Sequence, residues 1–327
     1  MQYRSNKGFS GMGQLGILIM FIGVGMILAA IVQFVIGLKM IPSDTPFEKM
    51  GDAMMKALEN PANVSAARWL QFLSTFFMFC VPAYLYPIVC NGKDMIWLGF
   101  SKHINVRQVM LGFLIIFIAN IAAGSLQDLT EMVTRHFPAL DHYAKRMEDL
   151  YNEQVKALSR IQGVPDLLLS LVIMAFLPAV FEELFFRGAL QQILVRWWKA
   201  PIVAIIVTSL IFSLIHMSVY LFLSRAVLGF VLGLMFYQTR NIWVNIVAHF
   251  LNNAIAVFQV YYLTMSKKDI DVSKMDVKVG WWAGVIGAAV LYYLFIQLKK
   301  QSETNSTKIY TMEEALKVDS PFGHPLA

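Results

Sequence analysis

The sequence is poor in charge: only 15% of its 327 residues are Asp, Glu, Lys or Arg. A soluble globular domain carries about 25%, whereas 57% of this chain is hydrophobic. Long stretches of the sequence also contain no charged residue. Such stretches lie between Lys7 and Lys39, Arg68 and Lys93, Arg107 and Asp128, Asp166 and Glu182, Lys199 and Arg225, Arg225 and Arg240, Arg240 and Lys267, and Lys278 and Lys299. This distribution excludes a soluble globular domain.

Cysteine is scarce as well. The two cysteines, Cys80 and Cys90, both lie in the second apolar stretch, where a thiol behaves as a small hydrophobic group. Their number and spacing exclude a disulfide framework and a cysteine-based metal site. The net charge of +6 comes without a basic stripe that has aromatic residues between its charges, so nucleic acid is not an expected partner.

The apolar stretches predict membrane helices, because about 20 apolar residues are needed to cross the hydrocarbon layer. Six of the stretches are long enough by themselves. The one that ends at Glu182 needs a helix that continues through the charges, and the one after Arg225 needs residues 219–224 in front of it. We predict an all-α polytopic membrane protein with about eight transmembrane helices and its functional site in a bundle cavity. Residues 1–300 form the transmembrane domain and residues 301–327 a polar cytoplasmic tail.

Lys and Arg in short loops predict the orientation, because cytoplasmic loops carry an excess of them. With eight spans, one side receives Arg4, Lys7, Lys93, Lys102, Arg107, Arg187, Arg196, Lys199, Arg240, Lys299 and Lys300. We expect that side, with both termini, to be cytoplasmic. Residues 39–68, 127–166 and 267–278 then lie outside, with amphipathic helices expected near 141–161 and 47–60. The expected location is a cell membrane, crossed several times, and the lack of a retrieval signal or transit peptide favours a bacterial inner membrane.

Six ionisable side chains fall inside the predicted spans: Glu182, Glu183, Arg187, His216, Arg225 and His249. Each charge near the centre of a membrane helix costs about 2.5–3.5 kcal/mol on insertion scales, and such residues usually mark function. A polar cluster that only fixes helix packing is the simplest alternative. A transporter or a proton or ion relay is a second one, although the hydropathy pattern has no twofold repeat.

Helical spacing sorts these residues. Glu183 and Arg187 are four residues apart and can pair on one face, whereas Glu182 projects elsewhere and is the better catalytic candidate. Asn245, His249 and Asn253 follow at the same spacing on a later helix. The predicted depth of His216 in the membrane does not match that of Glu182 and His249, because His216 lies about 25 Å along the helix from Lys199. We therefore expect residues 189–203 to lie along the cytoplasmic interface.

Three motifs stand in order within the apolar stretches: "EELFFR" at 182–187, "FSLIH" at 212–216 and "HFLNN" at 249–253. Over about residues 165–260, the motif-bearing core, the chain resembles the CAAX protease and bacteriocin-processing (CPBP, or Abi) family of intramembrane endopeptidases. The pattern of that family is Glu-Glu-x-x-x-Arg, then Phe-x-x-x-His, then His-x-x-x-Asn on successive membrane helices.

The resemblance implies hydrolysis of a peptide bond in a membrane-associated or prenylated peptide or protein. It implies that Glu182 and His216 activate water and that His249 and Asn253 hold the substrate carbonyl, with Glu183 and Arg187 in support. It also implies a cavity open to the cytosol, on the side of Arg187 and Arg240. The expected partners are the substrate and the lipid bilayer.

A metal stays an open question for this site. Members of the family are often called metalloproteases, and Glu182, His216 and His249 could supply three ligands to a divalent ion such as zinc. The His-Glu-x-x-His zinc signature is absent from the chain. Hydrolysis with and without a metal both remain compatible with the sequence, and no other cofactor is expected.

Overall fold

The structure is a computed structural model that describes residues 3–92, 95–101, 104–158, 161, 163–266 and 279–315. These residues form helices with short connections, and their β pairing is limited to one isolated bridge between Arg4 and Ser10. The predicted all-α class is confirmed. The predicted loop 267–278 and the end of the tail, 316–327, lie outside the described residues.

The longer helices are numbered here in chain order. They are α1 Gly11–Leu38, α2 Met50–Glu59, α3 Val64–Cys90, α4 Val106–Thr134, α5 Pro138–Leu158, α6 Val164–Trp198, α7 Pro201–Leu214, α8 Phe222–Thr239, α9 Ile242–Met265 and α10 Trp281–Ala315. Short 3₁₀ turns occupy Phe47–Lys49, Pro61–Asn63 and Met95–Leu98. Because α10 runs to Ala315, the first half of the predicted polar tail is helical.

The number of long spans differs from the prediction. Among the residues that the structure describes, seven helices are long and apolar enough to cross a membrane, namely α1, α3, α4, α6, α8, α9 and α10. The eighth predicted span is α7, which has 14 residues. At about 1.5 Å per residue it reaches roughly 21 Å, less than the ~30 Å hydrocarbon layer. It ends early because the chain turns inside the bundle after Leu214, with Met217 in the left-handed region at φ 54°.

Helix α6 carries the acidic motif and is unusually long. Its 35 residues span roughly 50 Å and include two π-helical stretches, Leu171–Phe176 and Leu184–Gln191. Such wider turns are frequent at functional sites. The prediction that residues 189–203 lie along an interface is wrong. Helix α6 continues as far as Trp198 and passes through buried positions such as Ile193.

The length of α6 also removes the mismatch in depth. Lys199 adopts a left-handed conformation (φ 54°), so the chain reverses between Trp198 and Pro201 and α7 returns alongside α6. Glu182 lies 16 residues before that reversal and His216 lies 15 residues after it. At about 1.5 Å per residue both are roughly 23 Å from the turn, and the two side chains reach the same level.

The bundle has two distinct ends. At one end, which we call the basic end, the Lys7 amide donates to the carbonyl of Cys90 (3.1 Å) and the Ile242 amide to the carbonyl of Gly99 (2.9 Å). The Arg196 guanidinium there lies over the ring of Trp97. The opposite end, which we call the α5 end, holds α2, α5 and the turn at residues 215–221.

Helix α5 confirms the predicted amphipathic segment and is fastened to the turn at residues 215–221. The Tyr220 hydroxyl donates to Asp141 Oδ1 (2.8 Å), and the Ser218 hydroxyl donates to Glu148 Oε2 (3.1 Å). The second predicted amphipathic segment is α2, Met50–Glu59. Both amphipathic helices are therefore at the end that the Lys and Arg pattern assigns to the outside.

Small residues allow α8 to approach its neighbours closely. Gly229 and Gly233 are four residues apart, a spacing common where membrane helices touch. Added Cβ atoms would meet Ser209 and Phe212 at the first glycine and Ile205 and Gln191 at the second. Two long polar side chains of α6 use this proximity: Arg187 donates to the carbonyl of Gly229 (3.1 Å) and Gln191 to that of Gly233 (3.0 Å).

The outer surfaces of the bundle suit a lipid environment. Helix α1 exposes Ile19, Ile27, Ile31 and Phe34, and an apolar surface of this kind is rare on soluble monomers. The buried core lies between α1, α3, α6 and α7 and includes Leu18, Tyr86, Phe186 and Ile193. The chain is thus a multi-pass membrane protein whose polar groups are turned inward.

Packing of α1 on α3 generates a testable prediction. A Cβ at Gly25 would lie 2.1 Å from the backbone oxygen of Phe77, whereas one at Gly23 meets nothing within 4 Å. Gly25→Ala should separate the two helices and lower the melting temperature in detergent, with a cost of about 1–3 kcal/mol, as for other overpacked sites. Gly23→Ala is the matched control and should melt at or above the wild-type temperature. Equal melting of the two variants would contradict this packing.

Candidate active site

A cavity of about 380 Å³ lies inside the bundle, at the level of the acidic motif. Its walls come from α3, α4, α5, α6, α7, α8 and α9. The polar and charged side chains that line it are Gln71, Tyr151, Glu182, His216, Arg225, His249, Asn252 and Asn253. The structure therefore brings all four predicted catalytic residues to one cavity, although they come from three separate motifs.

The cavity extends toward the α5 end. Its apolar lining includes Val155 and Leu158 of α5, Met174 of α6 and Val260 of α9, all on the α5 side of Glu182. On the basic side of Glu182, Arg187 is buried and does not line the cavity. The described lining therefore does not reach the side of Arg187 and Arg240, where the opening was expected. The motifs fix the residues at the site, but they carry no information on which end of the bundle is open.

Glu183 is the structural centre of the polar cluster. Its carboxylate is fully buried and accepts three hydrogen bonds from side chains. Arg187 Nη1 and His249 Nδ1 donate to Oε1 (2.9 and 2.8 Å), and Asn245 Nδ2 donates to Oε2 (3.0 Å). Asn245 also donates to the carbonyl of Leu232 (2.8 Å). The predicted Glu183–Arg187 pair is present, and it ties α6 to α8 and α9.

Glu182 has a different environment on the neighbouring face of α6. Its carboxylate lines the cavity, and Oε2 lies 3.8 Å from Nε2 of His249. That separation is too long for a direct hydrogen bond. Within the described part of the chain, no donor holds the Glu182 carboxylate. It is therefore the acid that remains available to a water molecule or a substrate.

Both imidazoles are held through their Nδ1 atoms. The partner of His249 Nδ1 is the Glu183 carboxylate, and that of His216 Nδ1 is the carbonyl oxygen of Phe212 (2.7 Å). Since these oxygens only accept, each Nδ1 carries a proton. In the neutral ring, each Nε2 is then an acceptor. The sequence could not reveal this tautomer, because it depends on contacts between helices.

Phe212 packs against both imidazoles and against the arginine. Its ring centroid lies 4.7 Å from that of His216 and 6.2 Å from that of His249. The Arg187 guanidinium lies 4.9 Å from the same ring centroid. The phenylalanine of the second motif thus helps to fix the two histidines and the guanidinium.

The asparagines of α9 divide between structure and cavity. Asn245 belongs to the Glu183 network, and the Asn252 side-chain oxygen accepts a hydrogen bond from Asn120 of α4 (2.8 Å). Asn253 lies one turn beyond His249 and lines the cavity. Its amide is therefore placed in the same space as the Glu182 carboxylate.

Arg225 is a cavity residue to which the sequence assigned no role. Its guanidinium lies 5.1 Å from the ring centroid of Tyr151 on α5, and Nη1 donates to the carbonyl of His216 (3.4 Å). Its position between two apolar stretches was a visible signal, but the partner Tyr151 comes from a helix predicted to lie on the surface. Gly229 and Gly233 were also missed, although their four-residue spacing is readable in the sequence.

The arrangement does not fit the three-ligand metal site considered from the sequence. Within the residues that the structure describes, no three His, Cys, Asp or Glu side chains are grouped to hold a metal ion. Glu182 and His249 do lie close together, but His216 does not complete a set with them. A metal at Glu182, His216 and His249 stays a prediction, and the steps proposed below use only protein groups and water.

Neutralising the two adjacent acids is expected to affect the melting temperature differently. Glu183→Gln leaves the buried Arg187 cation without its carboxylate, a change that typically costs about 3–5 kcal/mol, so the melting temperature in detergent should fall clearly. Glu182→Gln breaks no hydrogen bond to a described residue and should melt near the wild type. Glu131→Gln is the matched control, since its partner Arg135 is 70% exposed and such pairs contribute little. Equal melting of Glu183→Gln and Glu131→Gln would contradict the central role of Glu183.

Similarity to known proteins is found in the segment of the chain that carries the three motifs. Residues 164–255 match the family model described as type II CAAX prenyl endopeptidase, Rce1-like. The uncharacterized protein YpbD of Bacillus subtilis (strain 168) is 31% identical over 96 residues, which are 28% of this chain and 46% of that protein. The match thus spans less than half of that relative's length. No solved structure matches the chain.

The family match agrees with the resemblance predicted over residues 165–260 and supports a protease role. The transporter alternative is not favoured. The matched segment runs from the start of α6 to the middle of α9 and contains all three motifs. Through this motif-bearing core, the chain matches the type II CAAX prenyl endopeptidase, Rce1-like family of membrane peptidases.

Proposed function

We propose that the protein is an intramembrane endopeptidase that hydrolyses a peptide bond with a water molecule activated at Glu182. One observation carries the proposal. The carboxylate of Glu182 and Nε2 of His249 approach to 3.8 Å in the cavity, and neither is used by the hydrogen bonds that hold the cluster together. His216 and Asn253 line the same cavity.

The first step is attack by water on the substrate carbonyl. A water molecule beside Glu182 gives a proton to the carboxylate while its oxygen bonds to the carbonyl carbon. Nε2 of His216 is an acceptor in the neutral ring and orients the water by taking its second hydrogen bond. The C=O π bond becomes a C–O⁻ single bond, and the negative charge moves to the former carbonyl oxygen.

Stabilisation of that oxyanion falls to α9. The side-chain amide of Asn253 donates N–H, and the imidazole of His249 donates from Nε2 when it is protonated. A single donor of this kind contributes about 10²–10³ in rate in other hydrolases. Glu183 acts through His249, because the hydrogen bond to Nδ1 fixes the ring plane and stabilises the ring when it carries charge.

Collapse of the tetrahedral intermediate completes the reaction. The C–N bond breaks, and the proton taken up by Glu182 passes to the departing amine. The immediate products are a carboxylic acid and an amine, and Glu182 is again ionised. The acid then gives its proton to the amine, which leaves a carboxylate and an ammonium group. Every proton is accounted for by water and the Glu182 carboxyl group, so the cycle requires no other reactant.

The setting of this reaction is a cell membrane, with peptide or protein segments at the bilayer as substrates. We place both termini in the cytoplasm, following the Lys and Arg pattern, and we propose a bacterial inner membrane. Whether the substrate carries a prenyl group depends on which aqueous side the cavity serves.

Purified protein and a quenched-fluorescence peptide library provide the test. Glu182→Gln removes the proton acceptor and should lower hydrolysis by about 10²–10⁴-fold, the usual contribution of a general base, while its melting temperature is unchanged. Because groups that act as a unit lose activity non-additively, the double variant Glu182→Gln/His249→Ala should be scarcely slower than either single variant.

The controls are Glu131→Gln and His136→Gln, which make the same types of change outside the cavity and should retain activity. If the Glu182→Gln variant melted like the wild type and hydrolysed peptide at the wild-type rate, Glu182 would not be the base. Fully multiplicative losses in the double variant would show that Glu182 and His249 act in separate steps.

A further inference from the structure

The two ends of the bundle differ in charge as well as in openness. The basic end carries Arg4, Lys7, Arg107, Arg196, Lys199, Arg240, Lys299 and Lys300 with few acids. At the α5 end, bases and acids balance, as in the pairs Arg68–Asp166 and Lys145–Asp141. An excess of Lys and Arg in short loops marks the cytoplasmic side of membrane proteins.

Along α6, a layer of buried side chains separates the cavity from the basic end. Between Glu182 and Leu194, helix α6 continues for roughly 18 Å, and its side chains there are buried against neighbouring helices. The residues of this layer have at most 8% of their surface exposed and are Glu183, Leu184, Phe185, Phe186, Arg187, Ala189, Leu190, Gln191, Gln192, Ile193 and Leu194. Water or peptide has no described path to Glu182 through this layer.

The opposite direction leads out of the bundle. From Glu182, the cavity passes Ala256 and Val260 of α9 and Gln71 of α3, and it ends beneath α5. Gln71 and Ala256 are exposed. Helix α5 is joined to the turn at 215–221 by polar contacts, and its Leu158 is part of the cavity wall. The polar site therefore communicates with the end whose loops contain balanced charge.

We infer that the cavity opens to the extracytoplasmic side, and that the substrate is a membrane-proximal peptide segment of an exported or membrane-anchored protein on that side. The part of this inference that concerns the substrate rests on the proposed function. The side on which the cavity opens does not depend on catalysis. It removes cytosolic prenylated C termini from the substrate class, because they would meet the sealed basic end.

The test measures access to the cavity with single cysteines in a background without Cys80 and Cys90. Ala256→Cys and Gln71→Cys place a thiol in the cavity wall away from the four proposed catalytic residues, and Lys199→Cys places one at the basic end. A membrane-impermeant sulfonated maleimide is applied to intact cells and to inside-out vesicles. Detergent-solubilised protein defines full labelling and shows that each variant is folded.

We expect Ala256→Cys and Gln71→Cys to be labelled in intact cells and Lys199→Cys only in inside-out vesicles. Labelling of the two cavity positions from inside-out vesicles alone would overturn the inference and restore a cytosolic substrate. Labelling from neither side would also overturn it, because the cavity would then lack an aqueous opening. If peptide hydrolysis in detergent still requires Glu182, the proposed function survives either failure.

Discussion

The structure depends on burying one carboxylate, that of Glu183, among three donors from two helices, α6 and α9. An unpaired ion in this position would cost several kcal/mol, so Arg187, Asn245 and His249 must all be in place before α6, α8 and α9 can close on one another. The Gly229 and Gly233 positions allow this closure, since the side chains of α6 then reach the carbonyls of α8. Packing and electrostatics therefore require the same arrangement.

This constraint explains why two adjacent glutamates can have separate tasks. Glu183 accepts hydrogen bonds on both oxygens and faces protein, whereas Glu182 faces the cavity, with His249 Nε2 at 3.8 Å. His249 belongs to both environments, because Nδ1 is held by one acid and Nε2 approaches the other. A rigid network behind the cavity thus orients the groups in front of it, as an enzyme with preorganised polar groups requires.

Much of this could be read from the sequence, and the failures have physical causes. Charge-free stretches and four-residue spacings predicted the helical class and the Glu183–Arg187 pair, and the resemblance of the three motifs to a known family implied the four cavity residues. Helix α7 was predicted as a full span, and its shortness was not foreseen because hydropathy does not record a chain reversal inside a bundle. The depth of His216 was misjudged because α6 is longer than the bilayer is thick. The side of the opening and the imidazole tautomers depend on contacts between helices distant in sequence.

The central claim is that the Glu183–Arg187 pair is needed as a pair for folding, and that Glu183 is needed separately to orient His249. Measuring melting temperature and peptide hydrolysis for Glu183→Gln, Arg187→Met and their combination tests both parts. The account predicts that the double variant loses less stability than the two single variants lose together, because it leaves no buried charge unpaired. Its hydrolysis should stay lost, because His249 Nδ1 has no carboxylate. Additive destabilisation, or activity that returns together with stability, would contradict the account.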